Sequence, residues 1–246
     1  MIRLRFFAGW AIMLLFVWQS GYWKVLLAVF AMMSLHEVAH ALCACLLGCP
    51  VSGFDIYPFG FCARMETMGY GSVYREMVIL AVGPMMHLLY PAILHLLAAG
   101  GAISVSFCEY LGMMNRSILL FNLLPILPLD GGRLLSSFVH LCVPYARAQR
   151  LSLLVSACGI VLVALAGWMP GIAGTLTLLV LGVRTLRQRT QLSIDRLRFY
   201  RYRQAHPFYG RSCIHAHQDL YRMRTNYIRE GSRVLSEAQW LRRFFG

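Results

Sequence analysis

Residues 24–47 read KVLLAVFAMMSLHEVAHALCACLL. A membrane-spanning helix needs about 20 mostly apolar residues, and this stretch supplies them. Inside it stand His36, Glu37 and His40, in the order HExxH. At 3.6 residues per turn, positions i and i+4 share one helix face, so both imidazoles can reach a single Zn²⁺ at about 2.0–2.1 Å. Glu37 lies beside that metal position and can take the proton of a water that the metal acidifies. Ionisable residues in the hydrocarbon are costly and by default mark function. The alternative for the two histidines is interhelical hydrogen bonding within a bundle.

Working outward, the whole chain has the composition of a membrane protein. Of 246 residues, 59% are hydrophobic and 13% charged, and the mean hydropathy is +0.60. Soluble domains have about 25% charged residues, so a disordered chain is excluded and a soluble enzyme disfavoured. Six spans are expected, at about Phe6–Trp18, Lys24–Leu47, Met77–Ala99, Tyr110–Leu127, Leu151–Gly167 and Ile172–Leu186. Gly131–Val143 is apolar but too short to cross, and is expected to re-enter or lie along the interface. Residues 49–76 mix β-formers with Gly and Pro, which predicts a small hairpin bordering a wet cavity, because non-helical backbone at membrane depth needs protein or water to satisfy it.

Charge orients this layout. The net charge is +13, yet fourteen of the 23 basic residues and only four of the ten acids lie from Arg184 onward. Six spans put both termini on one face, together with Arg3, Arg5, Arg64, Arg75, Arg133, Arg147, Arg150 and the basic tail, against Lys24 and Arg116 on the other. The positive-inside rule makes the shared face cytoplasmic. The expected fold is therefore an all-α polytopic membrane protein: six transmembrane helices, a small cytoplasm-side β-hairpin and a helical cytoplasmic tail. Residues 1–187 form the membrane domain and 188–246 a short basic tail. The expected surroundings are a lipid bilayer, with no nucleic acid partner. The eight cysteines sit mostly in apolar runs with no CxxC pair, which argues for thiols used as small packing groups and not for disulfides.

A catalytic zinc site needs a third protein ligand and an open fourth position. Asp130 is the conspicuous acid, in FNLLPILPLDGGR (121–133). Pro125 and Pro128 break or kink the fourth span, Gly131 and Gly132 free the backbone to turn, and an acid at such a break can face the bundle. An Asp-Gly pair is also an ordinary turn signal. Cys43, seven residues after His36 on the same helix face, is the competing ligand.

Together these motifs resemble the site-2 protease family of intramembrane zinc metalloproteases, and within it the stage IV sporulation protein FB group. The resemblance rests on His36-Glu37-x-x-His40, on Pro58-Phe59-Gly60, on Gly83-Pro84-x-x-His87 and on Asn122-Leu123-Leu124-Pro125-x-x-Pro128-Leu129-Asp130-Gly131-Gly132, in this order along roughly residues 1–190. It implies that His36, His40 and Asp130 bind zinc and that Glu37 is the general base and acid. It places Asn122 beside the substrate or its oxyanion, and Pro58, Phe59 and Gly60 along an extended substrate; His87 is a further substrate or oxyanion candidate, with a neutral imidazole bonded inside the bundle as its alternative.

The biology implied by the resemblance is removal of an inhibitory leader from a membrane-associated sigma-factor precursor. That processing takes place in the mother-cell membrane surrounding a forespore, under inhibitory membrane protein partners. The group commonly ends in a CBS domain, and the roughly sixty residues after the last span are short for a complete one. Arg198-Phe199-Tyr200-Arg201-Tyr202-Arg203 has a pattern suited to anionic headgroups or a partner, or to an interfacial helix; His215-x-His217 is too isolated for a metal site.

Other readings keep or drop the chemistry. A prenyl-peptide or quality-control metalloprotease would use a downstream Glu, with Glu76 and Glu109 as candidates. A transporter or non-catalytic pseudoprotease would use the metal structurally. Serine intramembrane proteolysis is disfavoured because no GxSG occurs.

Overall fold

A computed structural model describes residues 3–6, 19, 21–57, 60–65, 68–216 and 219–245. Beyond its first residue, the expected span Phe6–Trp18 lies outside these residues, as do Pro58, Phe59 and His217. The order is β1 (Arg3–Phe6), α1 (Trp23–Leu46), β2 (Val51–Tyr57), β3 (Gly60–Met65), α2 (Val73–Ala99), α3 (Val105–Asn122), α4 (Asp130–Cys142), α5 (Tyr145–Leu165), α6 (Gly171–Ala205), β4 (Ser212–His215), β5 (Thr225–Glu230), β6 (Arg233–Ser236) and α7 (Glu237–Phe245). Two compact units result: Met1–Thr67 with Val78–Leu123, and Met68–Met77 with Leu124–Gly246.

Among the described residues α1, α2 and α5 are long and apolar enough to cross a membrane. Several of their leucines face outward: Leu27, Leu35, Leu42 and Leu46 on α1 and Leu88, Leu89 and Leu96 on α2 are exposed. Such faces suit lipid, which is as apolar as leucine itself. α1 and α2 end alike. Gly48 and Gly101 take positive φ of 71° and 72°. The next residues close the turn, Cys49 N–H donating to the Ala44 carbonyl at 2.8 Å and Ala102 N–H to that of Leu97 at 2.9 Å. These are Schellman caps, which favour Gly because only it adopts the left-handed region without steric cost.

In the first unit, the sheet has the order β1-β2-β3, with β1 parallel and β3 antiparallel to β2. The expected hairpin is therefore β2–β3, and a third strand from the chain start joins it, which no alternation in so short a segment announced. Met32, Tyr90, Leu94, Cys108 and Leu111 form this unit's apolar cluster. The Tyr90 hydroxyl donates to the Met32 carbonyl at 2.7 Å, tying α2 to α1. The expected fourth span corresponds to α3, which starts and stops earlier. Ser104 caps its start by accepting from Phe107 N–H, and the helix finishes at Asn122, before Pro125.

In the second unit the short apolar stretch is α4, and the expected sixth span is the first half of α6, which runs on to Ala205. The tail differs from expectation. It is helical only to Ala205 and then forms a sheet of order β4-β5-β6 followed by α7. Phe199 and Tyr200 are fully buried, packed with Tyr145, Leu220, Ile228, Leu235, Trp240 and Leu241. Arg203 is 3% exposed and gives two 2.6 Å hydrogen bonds to Glu237. The basic-aromatic stretch 198–203 is thus largely core, with Arg198 and Arg201 left outside. Its helical spacing hides two aromatics and one arginine on one side. The cysteines described are all unbridged; Cys108 is buried as a packing group, whereas Cys45, Cys142 and Cys158 are exposed.

Candidate metal and catalytic site

Two pieces of backbone present the candidate site residues, and each is built differently. The first is a side-chain arrangement on α1. His36 and His40 are buried at 1% and 3% exposure. Their Nε2 atoms face each other at 3.1 Å. Two nitrogens bound at about 2.05 Å to one tetrahedral zinc stand about 3.3 Å apart, so the pair has metal-ligand spacing. His40 Nδ1 lies 2.6 Å from the Ile79 carbonyl. A carbonyl only accepts, so the proton of the neutral ring is on Nδ1 and the Nε2 lone pair points at His36.

α2 frames this pair through the Gly83-Pro84-x-x-His87 motif. A Cβ at Gly83 would fall 2.2 Å from His40 Nε2 and 2.7 Å from His36 Nε2. Only glycine leaves space there for the two rings. One turn later His87 Nε2 lies 3.2 Å from His36 Nδ1, and its Nδ1 lies 2.7 Å from Asn115 Oδ1 on α3. His87 thus uses both ring nitrogens inside the helix cluster, the arrangement given above as the alternative to substrate contact. Glu37 is half-buried, and its Oε2 accepts from Ala63 N–H of β3 at 3.3 Å. Strand β3, which begins at Gly60, is the edge of its sheet and runs past the carboxylate. Asn122 closes α3, buried, with its Nδ2 unpartnered among the described residues.

The second piece is a backbone arrangement in the other unit. Asp130 is the first residue of α4, where an acid favours the helix N-terminus. The segment before it is clamped from beneath. Ser156 Oγ on α5 accepts from Leu127 N–H at 3.0 Å, and Thr185 Oγ1 on α6 donates to the Leu127 carbonyl at 3.4 Å. Ile126 is fully buried, and a Cβ at Gly159 would meet its Cγ1 at 2.9 Å. Gly132 is tighter still: a Cβ there would stand 2.4 Å from the Ile126 carbonyl carbon. The second glycine of Asp130-Gly131-Gly132 therefore lets the helix start lie directly on the loop backbone.

His36 and His40 on α1 and Asp130 at the start of α4 are a His-His-Asp donor group of the kind that could hold a metal ion. Two imidazoles and one carboxylate are a donor set that suits catalytic zinc. Cys43 is not in that group. Sequence reasoning quoted Gly83 without giving it a role and passed over Asn115, Ser156, Gly159 and Thr185. The four-residue spacing of Gly83 and His87 on one helix was the available signal for the first; the others have none, since small polar residues are common in spans.

Residues 96–166 match Peptidase family M50. The chain is 32% identical over 139 residues to stage IV sporulation protein FB of Bacillus subtilis, covering 56% of this chain and 48% of that protein. It is 33% identical over 127 residues to a Synechocystis protein named as a candidate zinc metalloprotease, covering 50% of this chain and 32% of the relative. The chain thus spans half or less of the length of these curated relatives. The site-2 protease from Methanocaldococcus jannaschii superposes with a TM-score of 0.53 at 19% identity, over 79% of this chain and 90% of that one, which establishes a shared fold. Over residues 96–166 the chain is thus similar to Peptidase family M50, and as a whole it shares the fold of a solved site-2 protease.

Proposed function

We propose that this protein is an intramembrane zinc metalloprotease that hydrolyses a peptide bond of a membrane-associated protein near the cytoplasmic face. The observation that carries the reading is the facing pair of buried histidine nitrogens on a membrane-length helix, with Glu37 between them in sequence. His36, His40 and Asp130 hold the metal. Bound zinc supplies Lewis acidity toward the scissile carbonyl and acidifies a water. Glu37 takes the proton of the attacking water and delivers it to the leaving amine. Asn122, with its buried amide nitrogen unpartnered among the described residues, donates to the oxyanion.

Pro58-Phe59-Gly60 and the edge strand β3 receive the substrate in extended form, since a helical substrate hides its peptide bonds behind its own hydrogen bonds. The Ala63–Glu37 hydrogen bond supports this role, because it brings that edge to the carboxylate.

The membrane layout proposed with this function has six spans and both termini cytoplasmic, with residues 1–187 as the protease domain and 188–246 as a cytoplasmic tail. The parallel pairing of β1 with β2 supports it: both strands share one sheet, and so one face of the membrane. Similarity to stage IV sporulation protein FB supports a sporulation sigma-factor precursor as substrate, inhibitory membrane partners, and the mother-cell membrane around the forespore as the location.

The test is co-expression with candidate sigma-factor precursors. The native chain is expected to remove the leader, while Glu37→Gln keeps its zinc and slows cleavage by about 10²–10⁴-fold. Undiminished cleavage by that variant would overturn the assignment of the base.

A further inference from the structure

His36 is held differently from His40. His40 leans on a backbone carbonyl; His36 leans on another imidazole, whose own proton position has to be settled before it can accept a hydrogen bond. Asn115 settles it. Its Nδ2 donates to the His87 carbonyl at 2.9 Å, and a carbonyl accepts only, so the amide orientation is fixed. The Oδ1 atom then faces His87 Nδ1 at 2.7 Å, and that nitrogen must carry the hydrogen. In a neutral ring the His87 Nε2 is left with its lone pair, and at 3.2 Å it accepts from His36 Nδ1–H. His36 Nε2 in turn presents its lone pair to the lone pair of His40 Nε2, 3.1 Å away. Two lone pairs at that distance repel unless a cation lies between them. All four side chains are buried: His36, His87 and Asn115 at 1% exposure each and His40 at 3%.

We propose that His87, oriented by Asn115, is a positioning residue that fixes His36 as its Nδ1–H tautomer and so aims the His36 Nε2 at the metal. The inference rests on the metal-site reading above and adds a supporting pair to it. Metal-bound histidines usually lean on a carboxylate, a backbone carbonyl or water. Here both rings lean on neutral acceptors, the Ile79 carbonyl and the His87 imidazole. A carboxylate in either place would add a charge to an apolar bundle and raise the basicity of the ring, drawing positive character from the ion. The neutral chain leaves that character on the metal, where polarising a carbonyl needs it.

The experiment uses the full chain in detergent, loaded with zinc. Nitrogen-15 spectra of the unsubstituted protein are expected to show His36 protonated on Nδ1 and metal-bound through Nε2; a His36 bound through Nδ1 overturns the proposal without any variant. Zinc affinity is then measured by chelator competition. His87→Leu is expected to weaken zinc binding by about 10–100-fold. Asn115→Leu acts in the same direction, by a smaller factor. His87→Gln restores affinity to within a few-fold of the native chain, because its amide oxygen can accept from His36 Nδ1–H.

If His36→Ala and His40→Ala lose zinc while His87→Leu binds it as tightly as the native protein, the positioning role fails and the metal site stands. If His36→Ala and His40→Ala keep their zinc, the metal-site reading and this proposal fall together.

Discussion

The histidine pair and the Asp130 loop are both buried polar constructions, but they are held by opposite means. The pair is held by side chains: Ile79, His87 and Asn115 fix ring protons, and one absent Cβ at Gly83 gives the rings room. The loop is held by its backbone: Ser156 and Thr185 satisfy Leu127, and absent Cβ atoms at Gly132 and Gly159 allow close packing on Ile126. The difference teaches where each is fragile. A ring can rotate away from an intruding methyl at the cost of its hydrogen bonds, whereas a backbone carbonyl in a buried turn has nowhere to go.

Three substitutions sharpen this contrast. Gly132→Ala is expected to be the most damaging, since its new methyl meets backbone and not a side-chain tip. A stability loss of about 3 kcal/mol, read by denaturant unfolding in detergent, is the expected outcome. A variant as stable as the native chain would show that the loop does not rest on the helix start. Gly83→Ala comes next. It is expected to leave the unfolding midpoint nearly unchanged while weakening zinc binding by about 30-fold, equivalent to about 2 kcal/mol. Damage in the reverse order, fold first and zinc spared, would break the comparison. Ser156→Ala is the mildest, removing one acceptor from a buried N–H at a cost of about 1.5 kcal/mol, and Ser156→Thr, which keeps the hydroxyl, should recover part of it.

The same contrast explains what the sequence disclosed. The i,i+4 spacing of His36 and His40 is a one-dimensional signature of a shared helix face, so that half of the site was legible directly. The apolar runs behind α1, α2 and α5 were equally plain, because lipid demands length and apolarity together. Asp130 was conspicuous only as an acid at a helix break. The residues that clamp its loop lie 26 to 55 positions further along, and nothing local marks Ser156 or Thr185 as partners of Leu127. The tail was misread as wholly helical for a related reason: β4–β6 are strands of four to six residues, too short to show a period against their flanking charges. Their stability comes from Tyr145, Phe199 and Tyr200, which belong to preceding helices.

The central claim is that His36, His40 and Asp130 together hold one catalytic zinc ion. Metal analysis of the purified full chain tests it most directly, comparing the native protein with Glu37→Gln, His36→Ala, His40→Ala and Asp130→Ala. The account predicts one zinc per chain in the native protein and in Glu37→Gln, and loss of most of it in each of the other three. Retention of a full equivalent by Asp130→Ala, with the histidine variants empty, would contradict the account by assigning the third ligand elsewhere.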